Sequence, residues 1–173
     1  AKRGDIGNTA IQYAYSIFDH FGFDCVTINP YMGRDSVEPF LENKEKGVFL
    51  LAKTSNASAM TLQNVKEKSI TIYERVAHMA KDLNYNNNVG LVVGATVPKD
   101  LKIIRSIAPS MPILIPGVGA QGGDLNTCMK IGNRDGISLI NISRSISFTG
   151  DMSTKSIENA SSSYLAQMHD ALR

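Results

Sequence analysis

Several things this 173-residue chain has little of narrow its function first. No apolar run approaches the roughly 18 residues that a membrane-spanning helix needs, so no membrane partner is expected. No signal or transit pattern is visible. The 18 basic and 16 acidic residues give a net charge of +2 and are scattered, which leaves no electrostatic footprint for nucleic acid. Only two cysteines occur, Cys25 and Cys128, each inside an apolar segment. They read as buried free thiols rather than a disulfide, which fits a reducing, cytoplasmic compartment. The three histidines, His20, His78 and His169, fall within predicted helices, and no cluster has metal-ligand spacing, so no metal is expected. The chain also opens without a methionine and without a strand ahead of Ala1–Thr9, a stretch that already reads as chemistry. An N-terminal segment is therefore expected to precede it.

What remains is the composition of an ordinary globular protein, 43% apolar and 20% charged, of a length suited to one domain over residues 1–173. Apolar periodicity predicts a helix over 9–21, with Ile11, Ala14, Ile17, Phe18 and Phe21 inward and Gly22 as its stop. A strand over 23–28 and a short helix over 35–43 follow. The run GVFLLA at 47–52 is a strand closed by Lys53-Thr54-Ser55-Asn56. Residues 57–68 are ambiguous. A helix over 69–84 turns Ile70, Tyr73, Val76, Ala77, Ala80 and Leu83 inward. Strands at 89–94, 112–115 and 137–142 alternate with helices at 98–107, led by Pro98, and at 124–131, capped by Asp124. The last helix covers 154–172, with Ile157, Ala160, Tyr164, Leu165, Met168 and Leu172 on one face. Continuous apolar strands alternating with helices indicate a parallel sheet buried on both faces. Five strand–helix units follow the opening segment, where a (β/α)₈ TIM barrel of about 250 residues has eight. The expected fold is thus an incomplete TIM barrel: the last five units plus the end of strand three.

The polar and glycine-rich clusters all fall where strands end, the ligand-binding side of such folds. Lys2 and Asp5 are either a proton donor with a carboxylate favouring its charged form, or a solvated surface pair. Lys53–Asn56 either reads the edge of a heterocycle or sugar, or is a polar loop satisfying local backbone groups. Pro116–Asp124 carries four glycines that let backbone N–H groups converge on an anion. Gly117, Gly119 and Gly122 also match G-x-G-x-x-G. The next strand, however, ends Asn141-Ile142-Ser143-Arg144, without the acidic residue that holds a ribose, so a phosphate cradle is the better reading. Arg144 supplies a guanidinium that can hold phosphate through two parallel hydrogen bonds.

Taken together, these clusters resemble the orotidine 5′-phosphate decarboxylase family from Ala1 to about Ile146. The family's D-x-K-x-x-D-I-x-x-T motif is matched from its second residue by Ala1, Lys2, Asp5, Ile6 and Thr9. VTINPYMG, KTSN, GLVVGAT and PGVGAQGGD are similar to its strand-end loops. The resemblance implies a cofactor-free decarboxylation of orotidine 5′-phosphate to UMP. In it Lys2 protonates C6, and Asp5, with Ile6 and Thr9 beside it, reaches into the neighbouring subunit of a homodimer. Ser55 would hydrogen-bond the pyrimidine amide, and Gln121 and Arg144 would grip the phosphate. Gly122 lies in the cradle, and Ser143 stands where many relatives have glycine, its N–H serving equally. The resemblance also implies an aspartate just before Ala1, another ending strand one and a lysine ending strand two. These would lie in a preceding segment of about 70–110 residues by the usual barrel length, on this chain or another.

Two other readings remain. One is a Mg²⁺-dependent phosphosugar decarboxylase or aldolase of the same barrel group, against which KTSN and GAQGGD argue. The other is a non-catalytic barrel fragment that binds a nucleotide phosphate. A nicotinamide-dependent oxidoreductase using Gly117–Gly122 is a more distant possibility.

Overall fold

The computed structural model describes residues 2–173. Ala1, the first matched position of the opening motif, lies outside them. Six strands form one sheet: β1 (Lys2–Arg3), β2 (Cys25–Ile28), β3 (Gly47–Lys53), β4 (Val89–Val93), β5 (Ile113–Pro116) and β6 (Ser138–Asn141). Every neighbouring pair is parallel, and the order in space is the order in the chain. β1 pairs through only two positions, Lys2 opposite Thr27 and Arg3 opposite Ile28. β1 and β6 each have a single partner, so among the described residues the sheet is an open portion of a (β/α)₈ barrel.

The crossover helices are α1 (Gly7–Tyr15), α2 (Ile72–Leu83), α3 (Pro98–Ile107), α4 (Leu125–Gly132) and α5 (Thr154–Ala171). They bury an apolar layer against strand residues such as Ile28, Leu50, Leu91, Ile113 and Ile115, all fully enclosed. Each such side chain contributes about 1.5–3 kcal/mol by leaving water. α3 starts at the proline, whose missing N–H falls where the first helical turn has no partner for it. α4 is capped by Asp124, whose carboxylate accepts from the Thr127 N–H at 2.8 Å. α2 opens with a capping box in which the Thr71 hydroxyl accepts from the Glu74 N–H while Glu74 accepts from the Thr71 N–H.

Several expectations are corrected. The first helix begins at Gly7 and passes into a π-helical turn at Ser16–His20. Its buried stripe is Ala10, Ala14, Ile17 and Phe18, whereas Ile11 (48% exposed) and Phe21 (60%) face outward. The expected helix at 35–43 is instead two 3₁₀ turns, Arg34–Ser36 and Glu38–Phe40, after a third at Pro30–Met32. Pro39 lies mid-segment, where it lacks the N–H an α-helix needs and its ring would crowd the carbonyl four residues back. Residues 57–71 form a 3₁₀ turn, a short helix at Met60–Gln63 and a small antiparallel hairpin, Lys66–Glu67 against Ile70–Thr71. Ile70 therefore belongs to that hairpin and is exposed. On α5, Ile157, Ala160, Tyr164 and Met168 are half-buried, but Leu165 and Leu172 are exposed. Cys128 is buried, yet Cys25, at the start of β2, is exposed. Both thiols are free.

Candidate functional site

Because all six strands run the same way, every loop leaving a strand's C-terminal end opens on one side of the sheet. Ser55 follows β3, Gln121 follows β5 and Arg144 follows β6. The Ser55 hydroxyl donates to Gln121 Oε1 at 2.9 Å, so the second and third clusters meet in one hydrogen bond. Gln121 in turn lines a small polar pocket with Gly117, Ala120, Asn141, Ser143 and Arg144. The Ser143 hydroxyl accepts from Asn141 Nδ2 at 3.4 Å. Among the described residues the Arg144 guanidinium pairs with no carboxylate and is exposed beside this pocket.

The glycines build this pocket by two means. Gly117 (φ +97°), Gly119 (φ +78°) and Gly122 (φ +85°) adopt backbone that other residues rarely occupy. Gly123 is required for closeness: a Cβ there would sit 2.3 Å from Ala95 Cβ and 2.7 Å from the Gly117 carbonyl oxygen. The loop closes on itself, with Gly122 N–H donating to the Gly119 carbonyl at 2.7 Å and Gly123 N–H to that of Gly117 at 3.1 Å. The Gly122 N–H is thus engaged inside the loop, and its contribution to an anion site is the turn it permits.

Ser55 owes its position to another glycine. A Cβ on Gly94 would lie 2.9 Å from Ser55 Cβ and 3.0 Å from its backbone nitrogen. The GLVVGAT stretch therefore carries a glycine directly after its strand residues because the Ser55 backbone rests on it.

The opening cluster sits apart. Lys2 lies within β1 rather than past its end, and it is exposed. Asp5 Oδ1 accepts from the Ile6 N–H at 2.9 Å, and no ion pair joins it to Lys2 among the described residues. Ile6 occupies the N-cap position of α1 without a side-chain hydrogen bond, and Thr9 is exposed in the helix's first turn. With β1 two strand spacings from β3, their backbones are about 10 Å apart at roughly 4.8 Å per spacing. The structure therefore joins Ser55, Gln121, Ser143 and Arg144, and leaves Lys2, Asp5, Ile6 and Thr9 as a second group at the sheet's other edge.

Sequence reasoning missed the support behind Ser55. Lys53 is 4% exposed, its ammonium 3.6 Å from Asp100 Oδ2 and 5.2 Å from the Tyr73 ring centroid. The pairing register slips between Leu51 and Lys53, so Ala52 and Lys53 are both buried in succession. Burial, with the Asp100 charge second, holds the Tyr73 phenol above its ordinary value. Burial also pushes the Cys128 thiol up to about 11, which keeps it protonated and unreactive.

The sequence profile of the orotidine 5′-phosphate decarboxylase / HUMPS family matches residues 1–156. An orotidine 5′-phosphate decarboxylase of Haloarcula marismortui is 51% identical over 154 residues, covering 87% of this chain and 56% of the relative. The structure of Leishmania donovani OMP decarboxylase superposes with a TM-score of 0.89 at 37% identity, over 99% of this chain and 66% of that one. Leishmania donovani UMP synthase gives the same TM-score at 40% identity, over 99% of this chain and 38% of the larger protein. The chain spans a little over half the length of the curated relatives it matches.

Proposed function

Since this chain belongs to the orotidine 5′-phosphate decarboxylase / HUMPS family, we propose that it performs the decarboxylation of orotidine 5′-phosphate to UMP, without a cofactor. The observation that carries the reading is the Ser55–Gln121 hydrogen bond beside the Arg144 pocket. It couples a group suited to a pyrimidine amide to groups suited to a phosphate, at the separation of one side-chain contact.

Arg144 and Gln121 hold the phosphate, with the Ser143 N–H beside them, in the turn that Gly122 permits. Ser55 faces the pyrimidine amide. As the C6–carboxylate bond breaks, its electron pair stays on C6 and CO₂ departs. The Lys2 ammonium stabilises that pair and then delivers its proton to C6. No conjugated electron sink exists at C6, so the stabilisation is electrostatic and has to be in place beforehand. The phosphate is remote from the reacting carbon, and its binding energy serves to orient the base. Asp5 works with Ile6 and Thr9 across a homodimer, completing the partner's site. The exposure of Ile6, Tyr31 and Met32 beside it suits such a surface. Further strands beside the open edge of β1, on this chain or another, complete the barrel.

The test is CO₂ release from orotidine 5′-phosphate by the full natural chain. Lys2→Ala should abolish turnover while UMP binding stays measurable by calorimetry. Retained turnover removes Lys2 from its role. UMP binding with no CO₂ release from the wild-type chain points to a nucleotide-binding barrel without catalysis. Activity lost to EDTA points to the Mg²⁺-dependent phosphosugar chemistry of the same barrel group.

A further inference from the structure

Lys53 has no place in the chemistry above, yet it is a buried lysine only two residues from Ser55. Its ammonium is shared by three elements. It donates to Asn64 Oδ1 after the short helix, lies 3.6 Å from Asp100 in the first turn of α3, and sits over the ring of Tyr73 in the first turn of α2. The Tyr73 hydroxyl donates to the other Asp100 oxygen at 3.3 Å, so lysine and tyrosine hold the carboxylate between them.

The next residue is gripped as firmly. The Thr54 N–H donates to Gln63 Oε1 at 3.0 Å, and Gln63 Nε2 donates back to the Thr54 hydroxyl at 2.8 Å. That hydroxyl donates onward to Asn56 Oδ1 at 2.6 Å. On the strand side the Lys53 carbonyl accepts from the Gly94 N–H at 2.8 Å. Residues 53 and 54 are thus fixed to one wall made of Gln63, Asn64, Tyr73 and Asp100, and Ser55 emerges from that wall onto Gly94.

We propose that Lys53 is a positioning residue for this site: through Asp100, Tyr73 and Asn64 it fixes the end of β3 so that the Ser55 hydroxyl meets both Gln121 and the substrate base. The inference rests on the decarboxylase reading of Ser55. A side chain needed only for packing would be apolar here. A buried ammonium adds direction, because it is satisfied only when all three partners converge.

A double-mutant cycle on the full natural chain tests it, with kcat/KM for orotidine 5′-phosphate and the urea midpoint both measured. The variants are Lys53→Met, Asp100→Asn and Ser55→Ala. Asp100 breaks the same clip from α3, which keeps the test open if Lys53→Met fails to fold. Either clip variant should lower kcat/KM by about tenfold in the wild-type background and by less than about twofold alongside Ser55→Ala, a coupling typical of residues in one network. An equal loss in both backgrounds overturns the proposal, since the clip would then act on stability alone. A Ser55→Ala variant with unchanged kcat/KM overturns the substrate role of Ser55, and this inference with it.

Discussion

The Ser55 hydroxyl donates to Gln121 Oε1 across 2.9 Å, joining two loops that are 66 residues apart in the chain. Neither loop follows a neighbouring strand: β4 lies between β3 and β5. The contact spans it because the residue just after β4 is Gly94, which presents no side chain to hold the loops apart.

Gly94→Ala should therefore be costly. The new Cβ would stand 2.9 Å from Ser55 Cβ, and the nearest atoms include backbone that cannot rotate away. Overpacking of this kind costs about 1–3 kcal/mol. The expected outcome is a lower urea midpoint together with weakened UMP binding. Unchanged binding would show that Ser55 does not need its present position.

Arg144→Ala should act on one ligand group. The guanidinium lines the pocket with Gln121 and has no carboxylate partner among the described residues. Loss of one charge-assisted contact should weaken UMP binding by about 1.5–3 kcal/mol. Uridine, which lacks the phosphate, should bind the variant and the wild type alike in calorimetry. An equal loss for uridine would remove Arg144 from the phosphate.

Arg105 gives a stability prediction at the opposite end of the sheet. It is fully buried and donates to the carbonyls of Ala108, Pro109, Met111, Gly132 and Ile137. Burial lowers its pKa. Arg105→Met should leave those carbonyls without their donor and cost more than about 3 kcal/mol, the scale for breaking a buried charged network. A urea midpoint within error of wild type would refute the clamp.

The capping box of α2 gives a pH dependence. The Thr71 hydrogen bonds hold the Glu74 carboxyl below its ordinary value. A depressed carboxylate contributes stability that is present above the unfolded glutamate value of about 4.3 and is lost as pH falls through the lower folded value. Glu74→Gln should flatten the fall in stability below that pH. An identical acid limb in thermal melts of both proteins would dismiss the contribution.

Much of this was legible in the chain because the signals were local. Pro98 fixed the start of α3, Asp124 the cap of α4, and continuous apolar runs five of the six strands, β1 being the charged pair Lys2–Arg3. The glycines of Pro116–Asp124 announced a loop before any partner was known. Two buried charges were not legible as such, for different reasons. Lys53 looked like the first residue of a polar loop, and the register slip that buries it depends on pairing with β4. Arg105 did carry a signal, since Leu101, Ile104, Arg105 and Ala108 follow the spacing of an inward helix face, all four of them buried. Three of its partners, Ala108, Pro109 and Met111, lie just past α3, but Gly132 at the end of α4 and Ile137 ahead of β6 are 27 and 32 residues away, which no local pattern encodes. The exposed Ile11, Phe21 and Leu165 misled for a related reason: periodicity marks a face as apolar without saying what stands opposite it.

A sheet whose spatial order equals its chain order has an inside and two margins in time as well as in space. Each strand–helix unit docks on the one made just before it, so contacts form between near neighbours in the chain and the loop-closure cost of each step stays small. The Ser55–Gln121 junction belongs to strands with neighbours on both sides and shares their cooperativity. Lys2 lies in β1 and Arg144 follows β6, the two strands that are marginal among the described residues, where local opening costs least. The Ser55–Gln121 junction is thus built into the most persistent region of the described sheet, while Lys2 and Arg144 take their rigidity from whatever borders the margins.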